Sequence, residues 1–132
     1  MLPEEKAQGA PDENSRRAHI KAEMVVMGGL EGDVIIDFMD RRQPKLSHCY
    51  GREIESGHLR LSARILISPL GRVKKAEITN LPALTENEDR KTAECVLGVL
   101  RQMIFPQPLG GGWVEVDYPI YFPFEKLDSE KR

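Results

Sequence analysis

The stretch of sequence that decides the fold is VEVDYPIYF, which runs from Val114 to Phe122. Apolar side chains alternate along it with a period of two, and successive side chains of a β-strand point to opposite faces of a sheet. The pattern therefore predicts a strand with one buried face. Because Pro119 has no N–H to donate to a neighbouring strand, we expect this strand to lie at or near a sheet edge. The apolar face comprises Val114, Val116, Tyr118, Ile120 and Phe122.

Two further strands are predicted in the middle of the chain. From His58 to Ser68 the sequence alternates strictly between apolar and polar residues, which indicates a strand buried on one face. The turn that follows, SPLG, ends at Gly71 and has proline and glycine at positions typical of a tight turn. Residues 73–79 then return as the partner strand, so the two strands form a hairpin.

One helix is predicted before this hairpin and a second one after it. Acidic residues near Glu31 favour a helix start, and an apolar stripe at helical spacing continues to about Ser56. Pro44 lies within this stripe and removes a backbone hydrogen bond, so we expect a kink or break at 40–43. A second helix is predicted from Glu88 to Met103.

The order of these elements predicts an α+β fold. Two helices would cover one face of a three-stranded antiparallel sheet, in the order α-β-β-α-β, because each strand has one apolar side to bury. Residues 23–124 would form the domain, with a short extra strand allowed at 23–27 before two glycines. Residues 1–22 show no apolar periodicity and are interpreted as a flexible linker, and 125–132 as a charged tail.

Composition excludes several classes of partner. The 132 residues include 19 Lys+Arg and 21 Asp+Glu, so the chain lacks the basic excess that nucleic acids and anionic lipids attract. No apolar run approaches the roughly 20 residues needed to cross a bilayer, and the first residues are too polar for a secretory signal. The sequence by itself is therefore expected to be soluble, with any membrane anchor lying upstream of it.

The order of several short motifs resembles the TonB C-terminal-like domains, and more narrowly the C-terminal domain of gliding-motility proteins of the AgmX/PglI type. The likeness extends over about residues 28–122, and each motif alone is weak. The motifs are Cys49-Tyr50 with Glu53 after them, Gly71-Arg72-Val73, Cys95 in the second helix, Phe105-Pro106, the triple glycine at 110–112, and Val114-x-Val116-x-Tyr118-Pro119.

This resemblance implies a non-enzymatic module of an energy-transducing or gliding-motility machine in the cell envelope. Such a module is periplasmic, is usually tethered to the inner membrane, and contacts an envelope protein or peptide rather than a small-molecule substrate or nucleic acid. TonB-like domains pair their last strand with an extended partner segment, a mode that gives main-chain hydrogen bonds to the partner. The expected partner-binding residues are Trp113, Val114, Glu115, Val116, Asp117, Tyr118 and Tyr121.

Individual side chains of the last strand allow more than one interpretation. Trp113 lies opposite the apolar face, where it either covers the sheet edge or contacts a partner, since tryptophan is enriched at binding hot spots. Glu115 and Asp117 are either solvated charges or protection of the edge against aggregation. Two alternatives to strand addition remain: a structural or homodimerisation domain that pairs through the same edge, and a soluble adaptor that keeps the fold.

Cys49 and Cys95 have three interpretations. They form a disulfide between the two helices, they are reduced core residues, or they bind a metal with His48 or His58. A disulfide requires an oxidising compartment, which agrees with the periplasm. A four-ligand zinc site normally shows closely spaced ligand pairs, and this chain has none, so we predict the disulfide and no bound metal.

No motif predicts catalysis or a cofactor. The run from Gly28 to Gly32 lacks the lysine and hydroxyl of a phosphate-binding loop and is interpreted as a flexible segment before the first helix. A cysteine nucleophile with a histidine base has no sequence signature here. The chain is therefore predicted not to be an enzyme.

Overall fold

The computed structural model describes residues 9–51 and 58–122. They form an α+β fold, which confirms the predicted class, with four α-helices and four strands. The helices are α1 (Gly9–Glu23), α2 (Gly32–Arg41), α3 (Gln43–Tyr50) and α4 (Asn87–Arg101). The strands are β1 (Val25–Met27), β2 (Leu59–Ile67), β3 (Val73–Ile78) and β4 (Val114–Phe122), and short 3-10 turns lie at Leu81–Ala83 and Leu109–Gly111.

The four strands form one antiparallel sheet in the order β1-β4-β2-β3. β2 and β4 pair along their whole length, from Leu59 opposite Phe122 to Ile67 opposite Val114. Alternate side chains of both strands are buried on the same face, as the sequence pattern predicts. This face forms the floor of the core.

The helices supply the rest of the core. α4 packs against β3 and β2, and α3 packs against α4. The ring of Tyr50, at the end of α3, stacks on Phe122 with ring centroids 5.1 Å apart. The buried helical side chains are Ile20 of α1, Ile35, Ile36 and Met39 of α2, Leu46 and Tyr50 of α3, and Thr92, Ala93, Val96 and Leu100 of α4.

The prediction of three strands with β4 near an edge is wrong. β1 pairs with β4 on the side away from β2, so β4 has a neighbour on both sides. The three residues of β1 lie opposite Glu115, Val116 and Asp117 only. Pro119 therefore lies beyond the ladder that β1 forms, and its missing N–H does not interrupt that ladder.

Part of the segment interpreted as a flexible linker, residues 1–22, is helical, because helix α1 begins at Gly9; residues 1–8 lie outside the described part. The described side chains of α1, Arg16–Glu23, contact α2 through several ion pairs. Arg16 and Arg17 form ion pairs with Asp40 of α2, Arg17 also with Asp37, and Lys21 pairs with Asp33. Ile20 is the one apolar side chain of Arg16–Glu23 that is buried. A helix that is held by ion pairs needs few buried apolar residues, so its sequence shows little apolar periodicity.

The break predicted at 40–43 is confirmed. α2 ends at Arg41, α3 begins at Gln43, and Arg42 between them has φ −97° and ψ 4°. Pro44 lies in the first turn of α3, where its missing N–H is not needed. The predicted continuation to Ser56 is wrong, because α3 ends at Tyr50 and Gly51 adopts the left-handed conformation, φ +63°, that favours glycine. Residues 52–57 lie outside the described part.

A disulfide joins α3 to α4. Cys49 and Cys95, 46 residues apart in sequence, have Cα atoms 5.5 Å apart and bonded sulfur atoms. Of the three interpretations of these cysteines, the structure therefore has the bridge. Closing a loop of this length restricts the unfolded chain, and on the chain-entropy account this stabilises the fold by about 4 kcal/mol.

Replacing Cys49 and Cys95 together by alanine is expected to lower the free energy of unfolding by about 4 kcal/mol, because the unfolded chain regains the entropy of the closed loop. Urea denaturation followed by the fluorescence of Trp113, the single tryptophan, measures this change. Adding a reductant should destabilise the wild type by a similar amount and leave the double variant unchanged. Equal midpoints for wild type and double variant would contradict the prediction.

Candidate partner-binding edge

The predicted partner-binding residues of β4 divide between the two faces of the sheet. Val114, Val116 and Tyr118 are buried in the core, and burial raises the pKa of the Tyr118 hydroxyl. Their side chains are therefore not available to a partner. Trp113, Glu115, Asp117 and Tyr121 lie on the outer face, and of these Trp113 is the most exposed, at 51%.

The acidic pair on the outer face is engaged within the chain. Arg64 of β2 donates a hydrogen bond to Asp117 at 2.9 Å, and its Nε lies 3.4 Å from Glu115. The hydrogen bond to Asp117 is the main cause that raises the pKa of Arg64. Glu115 and Asp117 therefore form a cross-strand ion-pair cluster with Arg64, which reduces the charge they offer to a partner.

Tyr121 fastens the end of α1 to the outer face of the sheet. Its hydroxyl donates to the carboxylate of Glu23, with oxygen distances of 2.6 and 2.7 Å, and Arg60 donates to the same carboxylate at 2.8 Å. His19 lies 3.0 Å from Glu23 and 3.2 Å from the Tyr121 hydroxyl. The hydrogen bonds from Tyr121 and then Arg60 lower the pKa of Glu23.

The edge that was predicted on β4 is instead formed by β1. Val25 lies opposite Asp117 and Met27 opposite Glu115, so both side chains share the outer face with Trp113. Val25 is 51% exposed and Met27 is 64% exposed. Among residues 9–51 and 58–122 no strand pairs with the outer side of β1, so three apolar side chains border the free edge of the described sheet.

Gly28 holds the end of β1 close to the start of β4. Its φ of +132° is a conformation that L side chains rarely adopt, and a Cβ added there would lie 2.7 Å from the carbonyl oxygen of Trp113. Glycine is thus required at this position for two independent reasons. The close approach fixes Met27 beside Trp113.

The opposite edge of the sheet, formed by β3, carries features that discourage pairing. Lys74 and Lys75 are both exposed on this strand, and the pairing of β2 with β3 shifts register between Leu66 and Ile67. Lysines and bulges are common means by which natural proteins protect a sheet edge. The edge formed by β1 has neither among its three residues, although its shortness limits the ladder it can form.

Sequence reasoning missed α1 and the role of β1. The short run Val25-Val26-Met27 before two glycines is a weak strand signal, so the sequence predicted only an optional short strand here. A stronger signal for α1 was the acidic stripe Asp33, Asp37 and Asp40, which repeats at helical spacing and faces the basic residues Arg16, Arg17 and Lys21.

The described residues contain no arrangement that suggests chemistry at a metal or thiol. Within 9–51 and 58–122, no three His, Cys, Asp or Glu side chains are grouped so that they could hold a metal ion. Both cysteines are in the disulfide, so neither offers a free thiol. Over the same residues, no helix is long and apolar enough to cross a membrane.

Comparison with known proteins does not place this chain in a family. No protein-family model matches it, and no match was found among curated proteins or solved structures. The resemblance to TonB C-terminal-like domains therefore stays a prediction from sequence motifs.

Replacing Glu23 by glutamine is expected to lower the free energy of unfolding at pH 7 by about 1 kcal/mol, because charge-assisted hydrogen bonds from Tyr121 and Arg60 are weakened at this partly exposed site. The pKa of Glu23 is lowered by folding from its ordinary value of 4.5. The stabilisation is therefore complete above that value and is lost as the pH falls through the lower pKa of the folded state.

Thermal melts of the wild type and the Glu23→Gln variant between pH 7 and pH 3 measure this effect. The two melting curves should converge as the pH falls. Glu94→Gln, at an exposed position on α4, serves as the control and should show little difference at any pH. A difference between wild type and Glu23→Gln that stays constant over the whole range would contradict the assignment.

Proposed function

We propose that this chain is a non-enzymatic protein–protein interaction domain of a cell-envelope machine, TonB-like or of the gliding-motility type. It binds an extended segment of a partner protein by strand addition. The observation that carries the proposal is the free edge of β1, where the exposed side chains of Val25, Met27 and Trp113 lie on one face. The partner strand adds beside β1, since β1 already occupies the edge of β4.

Side chains must supply most of the affinity at this edge. β1 has three residues, so a partner strand can form only a few backbone hydrogen bonds with it, each worth about 1 kcal/mol net. Val25 and Met27 are more than half exposed, and covering them adds the larger hydrophobic contribution. A partner strand with apolar residues opposite Val25 and Met27 fits this edge, and Trp113 is the aromatic anchor at its end.

Two features support a location in the periplasm as part of an inner-membrane-anchored protein. The disulfide between Cys49 and Cys95 is the kind of bond that persists in oxidising compartments. The element order from α3 to β4 is helix, strand, strand, helix, strand, which is the order expected of a TonB C-terminal-like core. α1 and β1 are additions to that core at its N-terminal side.

The proposal is tested by nuclear magnetic resonance titration of the labelled chain with extended peptides taken from envelope proteins encoded near this gene. We expect the largest shifts at Val25–Met27 and Trp113. The double substitution Val25→Glu and Met27→Glu should weaken binding at least about tenfold, since it replaces apolar contacts by charge at the centre of the contact.

The matched control for this double variant is Leu70→Glu with Ile104→Glu, which adds the same charge at exposed apolar positions outside β1. The control should bind as the wild type does. Shifts that cluster on β3 while β1 stays silent would overturn the proposed edge. A chain that dimerises through β1 in gel filtration and binds no peptide would instead identify a homodimerisation domain.

A further inference from the structure

A groove lies along the seam between α3 and α4, on the solvent side of the helical layer. It has a volume of about 200 Å³ and is lined by Arg42, Lys45, Gly98, Val99 and Gln102. Sites for drug-sized ligands and cofactors usually measure about 300–1,000 Å³. The groove therefore suits one or two side chains of a bound protein segment rather than a whole cofactor.

Gly98 has no structural role that the described residues explain. It lies inside α4, where glycine is the poorest helix former except proline, and its φ is not positive. A Cβ added to Gly98 would meet no atom within 4 Å, so packing against α3 does not require glycine. The missing side chain instead leaves the backbone of α4 open at the floor of the groove.

The cations that border the groove lack acidic partners. Among the described residues, neither Arg42 nor Lys45 forms an ion pair. In this respect they differ from Arg16, Arg60 and Arg64, which are each paired with a carboxylate, and resemble Lys74 and Lys75 of β3. The groove therefore presents two cations that have no ion-pair partner among the described residues, beside a helix position without a side chain.

We propose that this groove binds an acidic segment of a partner protein, with carboxylates between Arg42 and Lys45 and the backbone of the segment passing over Gly98. Charge complementarity selects acidic segments over basic ones. Gly98 allows an approach to the helix that any larger residue would prevent. Binding at this groove is separate from strand addition, because no residue of β1 lines it.

The disulfide prepares the groove for binding. Lys45 precedes Cys49 by one turn of α3, and Gly98 follows Cys95 by about one turn of α4, so the bridge fixes the two helices next to the groove. The spacing of the groove walls is thus held before a partner arrives. A preformed site loses less entropy on binding than one that must be ordered.

The test is selection of random peptides displayed on phage against the immobilised 132-residue chain, followed by fluorescence anisotropy with the selected peptides. We expect the selected sequences to be rich in Asp and Glu. Arg42→Glu with Lys45→Glu should weaken their binding at least about tenfold. The matched control is Lys74→Glu with Lys75→Glu, which makes the same charge change on β3 and should stay within about twofold of the wild type.

The Gly98→Leu variant distinguishes binding in the groove from general electrostatic attraction of acidic peptides. It changes no charge and should abolish binding of the acidic peptides, while the variant melts at or above the temperature of the wild type because leucine is a better helix former. Val25→Glu with Met27→Glu should leave this binding unchanged, so failure of strand addition and failure of the groove are distinguishable. The proposal would be overturned if the selected peptides were not enriched in Asp and Glu. It would also be overturned if Lys74→Glu with Lys75→Glu weakened binding as much as Arg42→Glu with Lys45→Glu.

Discussion

The pairing of β2 with β4 is the constraint on which the rest of the structure depends. The two strands match over nine residues, and their alternation puts every second side chain into the core. A shift of register by one residue would turn the whole apolar set of a strand toward solvent, so the pairing is strongly specified. β1 and β3 add to the outer sides of this pair, and the helices cover the face that it fixes.

Elements with strong local patterns were predictable, whereas elements that depend on contacts between distant residues were not. β4 was predicted with the bounds that the structure shows, and Pro44 predicted the break between α2 and α3. α1 was missed because Ile20 is the one buried apolar residue within Arg16–Glu23, and the ion pairs that join this stretch to α2 leave no apolar pattern. The place of β4 in the sheet was misjudged for a related reason. A proline indicates that a donor is missing, but it does not say how far a neighbouring strand extends.

The surroundings of the predicted partner-binding side chains could not be predicted from the sequence. The sequence pointed to Trp113 and to the outer side chains of β4, yet Tyr121 and Asp117 are occupied by Glu23, Arg60 and Arg64. These contacts join polar residues that are far apart in sequence, so no periodicity reveals them. The two proposed surfaces lie on different layers of the domain: the edge of β1 belongs to the sheet, and the groove at Gly98 belongs to the helices. The two proposed surfaces therefore do not overlap.

The pairing of β1 with β4 also determines the order in which the sheet can assemble. β2 and β3 are joined by a short turn and can pair early, and α1 can form its ion pairs with α2, which is close in sequence. Val25 and Asp117 stand near opposite ends of the described chain, so their pairing closes a long loop and comes late. We therefore expect β1, the first strand of the described sheet in chain order, to enter the sheet last. Until β4 is in place, the newly made chain carries Val25-Val26-Met27 without its neighbour in the sheet, which leaves this short apolar run open to contacts with other chains.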